Sequence, residues 1–156
     1  MPSCIIETPI GFAKIIGDKN EISSVTLTSK KVKSDSIPYE LLDCVIQLKA
    51  YFKEDLQSFN LNINPEGTAF QKSVWKQLQT IPYGKTISYL ELSKQLGDVK
   101  AIRAVANANG KNPLWVIIPC HRVIGSDESL TGYAGGLCRK QWLISHESNN
   151  KQQSLF

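Results

Sequence analysis

Histidine is scarce in this chain, and the cysteines are not spaced for a metal ion. The 156 residues contain two histidines and four cysteines, and no two cysteines form a Cys-x-x-Cys pair. A structural zinc site takes about four such ligands at close spacing, so we expect no metal and no cofactor. Cysteines without a disulfide framework are typical of a reducing compartment, and we expect a cytoplasmic protein.

Long apolar runs are missing as well. No stretch approaches the roughly 20 apolar residues of a membrane-spanning helix. The opening Met1-Pro2-Ser3-Cys4 lacks the charged and then apolar pattern of a secretory signal. We therefore expect a protein that neither enters a membrane nor is exported. Its length suits one compact domain or two small ones that share a core.

Acidic residues are few in the second half of the chain. Through Glu66 there are 7 Lys or Arg against 9 Asp or Glu, whereas from Gly67 onward there are 11 against 5. The second half is therefore basic and the first slightly acidic. A basic half favours a polyanion such as nucleic acid as its partner, although solvated lysines alone produce the same asymmetry.

Turn residues divide the first part of the chain into short strands and one helix. Strand-like runs extend from Cys4 to Thr8, from Phe12 to Gly17 and from Ile22 to Thr28, and they predict an antiparallel meander. Apolar residues at helical spacing follow from Tyr39 to Phe52. We predict a sheet-plus-helix domain at residues 1–63.

The second part, residues 64–147, is predicted to be mostly helical. Capping residues and apolar spacing predict helices at Ala69 to Leu78, Tyr89 to Leu96, Lys100 to Ala108 and Leu137 to Glu147, and an apolar run predicts a strand at Trp115 to Ile118. Residues 148–156 are predicted to form a flexible tail. The expected fold class is α/β (α+β), with two domains and a tail.

Two of these helices, joined at Gly97, have the pattern of a helix-turn-helix. The second of them carries Arg103 among four alanines. A smooth helix can approach a DNA groove closely and let the arginine reach the base stack. Alanines also permit two ordinary helices to pack tightly, and the pattern alone leaves both interpretations open.

The segment Ile117-Ile118-Pro119-Cys120-His121-Arg122-Val123 carries a candidate nucleophile. An apolar run that ends in proline fixes the backbone and presents Cys120 at a strand end with a base next to it. Most free cysteines are buried structural thiols. Here ionisable side chains flank the thiol, and one of the two histidines is its neighbour. The pattern favours chemistry at Cys120.

Attack by Cys120 on a carbon atom needs the thiolate. A free thiol with a pKa near 8.5 is only about 3% ionised at neutral pH, so a base has to take its proton. His121 is the candidate base. Because neighbours on an extended strand point to opposite faces, a bridging water is the expected geometry. Glu147, at the end of the last helix, is the candidate that holds the far nitrogen of the imidazole.

Four segments together resemble the O6-alkylguanine-DNA alkyltransferase family, the methylated-DNA–protein-cysteine methyltransferases. They are Asn112-Pro113, Pro119 to Val123, Thr131 to Leu137 and Trp142 to Glu147, in matching order and spacing. The resemblance implies a ribonuclease-H-like N-terminal domain and a C-terminal helix-turn-helix domain of winged-helix type. It also implies direct-reversal DNA repair, in which the alkyl group of O6-alkylguanine moves irreversibly to Cys120 in a single turnover.

The resemblance further implies roles for individual residues. Cys120, His121 and Glu147 would form a Cys-His-Glu triad. The predicted substrate-binding residues are Tyr89, which helps to rotate the nucleotide and donates to the leaving purine, Asn112, Trp115 at the pocket entrance, Val123, Tyr133 and Ala134. The predicted DNA-binding residues are Arg103, which fills the gap left by the extruded base, Gln71, Thr86, Ala104, Gly110, Lys111 and Ser126. The implied partner is double-stranded DNA carrying O6-alkylguanine, bound by a monomer.

Other function classes compete for the Cys-His pair. A cysteine peptidase forms a thioester that water cleaves, whereas alkyl transfer leaves a thioether that stays on the protein. Modules that bind alkylated guanine without repairing it lack the cysteine. A helix-turn-helix regulator with a redox-sensing thiol would not require Asn112 or Glu147. Intact mass after incubation with methylated DNA separates these classes, because only the alkyltransferase gains one methyl group.

The C-terminal residues Gln152-Gln153-Ser154-Leu155-Phe156 resemble the Gln-Leu-Ser-Leu-Phe peptide by which bacterial repair proteins dock on the DNA sliding clamp. Such a peptide places its Leu-Phe pair in an apolar groove. Gln153 replaces the usual leucine here. A frayed terminus, or one whose Phe156 packs on its own domain, explains the same residues, and both interpretations stay open.

Overall fold

The computed structural model describes residues 1–125 and 136–153 and divides the chain into two compact units. The first unit contains Met1–Glu66 and Pro113–Ile117, and the second contains Gly67–Asn112 and the chain from Ile118 onward. The sequence predicts a division after residue 63 and assigns residues 113–117 to the second domain. These residues join the first unit because they pair with its sheet. The Val25 N–H donates to the Pro113 carbonyl at 2.9 Å, and the Trp115 N–H donates to the Val25 carbonyl at 3.0 Å.

A three-stranded antiparallel sheet and one helix form the first unit. The strands β1 (Ser3–Thr8), β2 (Gly11–Gly17) and β3 (Ile22–Thr28) lie in the order β1-β2-β3, which confirms the predicted meander and the mixed α/β class. Alternate side chains of β1 and β2 are buried, as the period of two requires. Helix α1 (Leu42–Phe52) follows a 3-10 turn and buries four side chains, namely Cys44, Val45, Leu48 and Tyr51.

Four helices and a two-stranded parallel ladder form the second unit. The helices are α2 (Ala69–Leu78), α3 (Tyr89–Gln95), α4 (Ile102–Gly110) and α5 (Leu137–Gln153), and the ladder pairs β4 (Ile87–Ser88) with β5 (Val123–Ile124). Thr68 and Gln71 form a capping box at the start of α2, and the Ser88 side chain caps α3. The Trp75 indole N–H donates to the Ala108 carbonyl at 2.8 Å, which ties α2 to α4.

The predicted strand at Trp115 to Ile118 is wrong. After the single bridge between Val25 and Leu114 the chain turns, and Val116 has a φ of 71°, a conformation that β-branched residues rarely adopt. The apolar run is buried throughout, but after the pairing at Leu114 and Trp115 it turns through packed core and does not continue as a strand. Cys120–Arg122 form a 3-10 turn. The argument that Cys120 and His121 point to opposite faces of a strand therefore does not apply.

The last helix is longer than the sequence predicts. It continues past Glu147 to Gln153, because residues 148–153 contain neither proline nor glycine to end it. The predicted tail thus begins as helix, and residues 154–156 lie outside the described residues. Within residues 1–125 and 136–153, no helix is long and apolar enough to cross a membrane. The same part of the chain has no cluster of three or more His, Cys, Asp or Glu side chains that could hold a metal ion.

Candidate active site

Cys120 is the first residue of the 3-10 turn, and two asparagines hold the backbone around it. Its thiol is not part of a disulfide, and the residue is 5% exposed. The Asn109 Nδ2 donates to the Cys120 carbonyl at 3.3 Å, and the Asn112 Nδ2 donates to the Ile118 carbonyl at 2.8 Å. Side-chain donors from the end of α4 thus fix the chain on both sides of Pro119. Asn112 is a predicted site residue, whereas Asn109 is one that sequence reasoning missed.

His121 and Glu147 are in direct contact. The His121 Nε2 lies 2.7 Å from the Glu147 Oε2, and both side chains are buried. Burial alone would raise the pKa of Glu147, but the hydrogen bonds and charges of His121 and Arg122 outweigh it and hold that pKa well below its usual range. Burial lowers the pKa of His121, Glu147 opposes this, and the charges of Arg122 and Lys140 add to it. At neutral pH the pair is therefore a neutral imidazole and a carboxylate.

These protonation states fix the tautomer of His121. An ionised carboxylate can only accept hydrogen bonds. The ring proton is therefore on Nε2, which donates a hydrogen bond to Glu147. The other ring nitrogen, Nδ1, is then an unprotonated acceptor. It is buried and has no hydrogen-bond partner among the described residues. The ring is thus oriented so that Nδ1 can receive a proton.

Arg122 completes the network around the carboxylate. Its Nε donates to Glu147 Oε1 at 2.8 Å, and its Nη2 donates to Glu147 Oε2 at 2.9 Å. Its Nη1 donates to the Ile81 carbonyl at 2.7 Å, and its guanidinium carbon lies 5.7 Å from the centroid of the Tyr83 ring. Arg122 therefore forms a bidentate ion pair with both oxygens of the Glu147 carboxylate, an arrangement that strengthens charged hydrogen bonds.

Lys140 is a second site residue that the sequence reasoning missed. The residue is 0% exposed, and its Nζ lies 5.8 Å from the centroid of the Tyr89 ring. Burial lowers the pKa of Lys140 to about 8, partly offset by its interaction with Cys120. Spacing within α5 could have found it. Lys140 precedes the buried Leu143 by three residues and Glu147 by seven, so all three share a helical face.

Tyr89 is joined to the thiol segment through Asn109. It is the first residue of α3 and is buried, and its hydroxyl oxygen accepts from Asn109 Nδ2 at 3.3 Å. That nitrogen also donates to the Cys120 carbonyl. Val123, in β5, is buried as well. The second unit thus contains two sets of hydrogen bonds on either side of the Cys120–His121 peptide. One joins Asn109 to Tyr89 and the Cys120 carbonyl, and the other joins Glu147 to His121 and Arg122.

The predicted DNA-binding residues divide by exposure. Four residues of α4 and its end are exposed, namely Arg103, Ala104, Gly110 and Lys111, and Thr86 is exposed as well. Val105, Ala108 and Asn109 form the buried face of α4. The alanines therefore serve both interpretations: Ala104 is exposed, and Ala108 packs. Gln71 is half-buried, and its side chain accepts from the Thr68 N–H within the capping box.

Four other predicted residues lie outside this cluster or outside the described residues. Trp115 belongs to the first unit, where it is buried and its ring centroid lies 6.1 Å from that of Phe52. It is a core residue of that unit. Ser126, Tyr133 and Ala134 lie outside the described residues.

Comparison with known proteins identifies the class of this site. The sequence model of the 6-O-methylguanine DNA methyltransferase DNA-binding domain matches residues 69–149, which include Cys120, His121, Glu147 and α4. A buried cysteine, its histidine and an exposed helix-turn-helix surface thus define a DNA-binding cysteine transferase.

Relatives and solved structures extend the match over nearly the whole chain. A methylated-DNA–protein-cysteine methyltransferase of Methanosarcina barkeri is 46% identical, with 94% of this chain and 96% of the relative covered. The crystal structure of the Mycobacterium tuberculosis O6-methylguanine methyltransferase matches with a TM-score of 0.84 and 39% identity, covering 96% of this chain and 94% of that one. The same protein in complex with DNA also matches, with a TM-score of 0.84, 41% identity and coverage of 93% and 91%. The chain belongs to the methylated-DNA–protein-cysteine methyltransferase family.

Proposed function

We propose that the protein repairs O6-alkylguanine in double-stranded DNA by moving the alkyl group irreversibly to the Cys120 sulfur. The observation that carries this proposal is the contact of 2.7 Å between His121 and Glu147. His121 directly follows Cys120, whose thiol is buried. It supplies an oriented neutral base for a nucleophile that has to lose its proton. Membership of the family supplies the reaction class.

The reaction balances with the groups of this site. The Cys120 proton passes to His121 Nδ1, through a bridging water, and Glu147 stabilises the imidazolium that forms. The sulfur attacks the alkyl carbon, an S–C bond forms, and the electron pair of the breaking C–O bond passes to guanine. The Tyr89 hydroxyl donates to the purine as its negative charge develops. The products are unmodified guanine and a thioether, which water does not cleave, so each molecule acts once.

Lys140 adds a positive charge to this step. It interacts electrostatically with Cys120 and is mostly protonated at neutral pH, since its pKa is about 8. A nearby cation favours the thiolate over the thiol. The proposed site therefore activates the sulfur in two ways, through a base that removes the proton and a cation that stabilises the anion.

The exposed face of α4 supports a role in base extrusion. The target base is stacked inside the duplex, and turning it out costs a few kcal/mol. Arg103 is exposed on α4 beside the small side chain of Ala104, with Lys111 exposed just after the helix. We propose that the helix backbone approaches the DNA at Ala104, that Arg103 occupies the gap, and that Lys111 contacts phosphate.

Intact-mass measurement tests the proposed function. After incubation with duplex DNA containing one O6-methylguanine, the protein should gain a single methyl group, and peptide mapping should place it on Cys120. Cys120→Ala should gain none and still bind the duplex. The matched control is Cys138→Ala at an exposed thiol, which should react like the wild type. Sustained turnover, with more repaired guanine than protein, would contradict the mechanism.

The sliding-clamp contact through residues 152–156 and the monomeric state stay predictions. Gln152 and Gln153 belong to α5, so an extended clamp-binding peptide would require the last turn of this helix to unwind. Deleting Leu155 and Phe156 should abolish clamp binding and leave alkyl transfer on short duplexes unchanged. Sedimentation of the free protein checks the monomer.

A further inference from the structure

We propose that Arg122 is a positioning residue that keeps His121 available as a neutral base, by supplying the positive charge that the buried Glu147 carboxylate requires. This inference rests on the proposed role of His121 in alkyl transfer. It assigns a function to the charged residue of the Cys120–Arg122 turn that contacts neither the thiol nor the substrate in the mechanism above.

The geometry shows that His121 is not the main partner of Glu147. Glu147 Oε1 accepts from Arg122 Nε at 2.8 Å, while Oε2 is shared by Arg122 Nη2 at 2.9 Å and His121 Nε2 at 2.7 Å. Two of these three hydrogen bonds come from a guanidinium, which stays protonated at any pH the protein encounters. The permanently charged Arg122 thus neutralises the Glu147 carboxylate, and the imidazole of His121 adds one hydrogen bond as an uncharged donor.

Arg122 is also held from its other end. Its Nη1 donates to the buried Ile81 carbonyl at 2.7 Å, and the Tyr83 ring lies under the guanidinium at 5.7 Å. Ile81 and Tyr83 follow α2, so the anchor lies on a different segment from both His121 and Glu147. The guanidinium is therefore already oriented before it binds the carboxylate, and this reduces the entropy lost in forming the pair.

Removal of Arg122 would change the charge balance around His121. The charged or titratable groups that act on this ring are Glu147, Arg122 and Lys140, with Cys120 next to it in the chain. Without the guanidinium, the buried Glu147 carboxylate loses two charged hydrogen bonds, and a buried charge that has lost its countercharge is strongly unfavourable. Protonation of His121 relieves this cost. An imidazolium cannot accept the thiol proton, so the base would be lost at neutral pH.

The test is the pH dependence of two quantities in Arg122→Met. The rate of reaction with free O6-benzylguanine, measured from about pH 5.5 to 9, should fall roughly tenfold at neutral pH, which corresponds to about 90% protonation of His121 there, and should recover at the alkaline end. The titration of His121, followed by NMR without substrate, should move to higher pH. In Arg122→Lys the titration of His121 should return most of the way to its wild-type pH, because lysine supplies the positive charge although it lacks the bidentate geometry of arginine.

A double variant separates charge from structure. Arg122→Met combined with Glu147→Gln removes both charges, so the titration of His121 should return to low pH even though the fold has lost more contacts. If Arg122→Met does not fold, Arg122→Gln gives the same test, because it removes the positive charge and keeps a side-chain donor for the carboxylate. An unchanged His121 titration with a uniform loss of rate would overturn the inference. The titration of His121 needs no substrate. The inference about Arg122 can therefore fail while the proposed transfer of a methyl group to Cys120 stands, and the reverse.

Discussion

The ammonium group of Lys140 lies over the ring of Tyr89, 5.8 Å from its centroid, in a residue with no exposed surface. Burial disfavours the charged form of this lysine and lowers its pKa to about 8, so it is still mostly protonated at neutral pH. A lysine at this position fits a role in stabilising the Cys120 thiolate. A neutral side chain of the same length would fill the space without the desolvation energy of a buried charge.

Lys140→Met should slow the reaction with free O6-benzylguanine roughly tenfold at pH 7, which corresponds to about 1.4 kcal/mol. The difference from the wild type should shrink above about pH 9, because wild-type Lys140, with a pKa of about 8, has then lost its own charge. The matched control is Lys94→Met on the exposed face of α3, which should leave the rate unchanged. A loss of equal size at every pH would mean that Lys140 acts through packing alone.

Asn109→Asp should destabilise the protein by about 3 kcal/mol and slow alkyl transfer. A carbonyl can only accept, so the Asn109 nitrogen has to face the Cys120 carbonyl, and a carboxylate there would repel it. The same nitrogen donates to the Tyr89 hydroxyl oxygen, which directs the hydroxyl proton away from Asn109. Urea unfolding and the rate with the free base measure the two effects.

The control for this change is Asn107→Asp, which adds the same charge on the exposed face of α4. It should alter the free energy of unfolding by less than about 0.5 kcal/mol. Equal effects at positions 107 and 109 would show that the added charge, rather than the lost donor, is responsible.

The sequence predicts the elements whose ends are marked by local chemistry. The helix at Ala69–Leu78 and the start of the helix at Tyr89 agree with prediction because Thr68 and Ser88 cap them through their own side chains. The run from Trp115 to Ile118 is different. Its apolar residues are buried, as predicted, but its shape is determined by the bridge at Leu114 and the turn at Val116, which depend on distant contacts.

The chemistry of the site divides in the same way. Cys120, His121 and Glu147 could be found because a rare motif marks two of them and the end of a helical pattern marks the third. Helical spacing could have placed Lys140 on the buried face of its helix. The roles of Asn109, Lys140 and Arg122 could still not be assigned, because each acts through a partner far along the chain. The carbonyl of Cys120, the ring of Tyr89 and the carboxylate of Glu147 become their neighbours only after folding.

Arg103→Ala should lower repair of O6-methylguanine in duplex DNA far more than reaction with free O6-benzylguanine. Arg103 is exposed on α4, whereas the buried face of the helix is formed by Val105, Ala108 and Asn109. The loss therefore falls on the extruded state of the duplex and not on the thiol. Lys100→Ala, at another exposed basic residue nearby, should weaken DNA binding slightly in both damaged and undamaged duplexes. A similar loss of activity for Arg103→Ala on both substrates would mean that Arg103 stabilises the folded protein and does not act in base extrusion.

The buried His121 should make the protein less stable in mild acid. Burial lowers the pKa of His121 below the value of 6.5 that it has when unfolded. The unfolded chain therefore binds the proton more readily, and the stability that depends on neutral His121 is complete above pH 6.5 and is lost as the pH falls below it. Between pH 6.5 and 5, where most carboxylates stay ionised, the stability of the wild type should therefore fall, by at most about 1.4 kcal/mol per pH unit for the one proton. His121→Gln, which keeps a donor for Glu147 but does not titrate, should flatten the dependence in this range. Urea unfolding at half-unit pH intervals measures both proteins, and a slope in His121→Gln equal to that of the wild type would show that the acid sensitivity does not arise from His121.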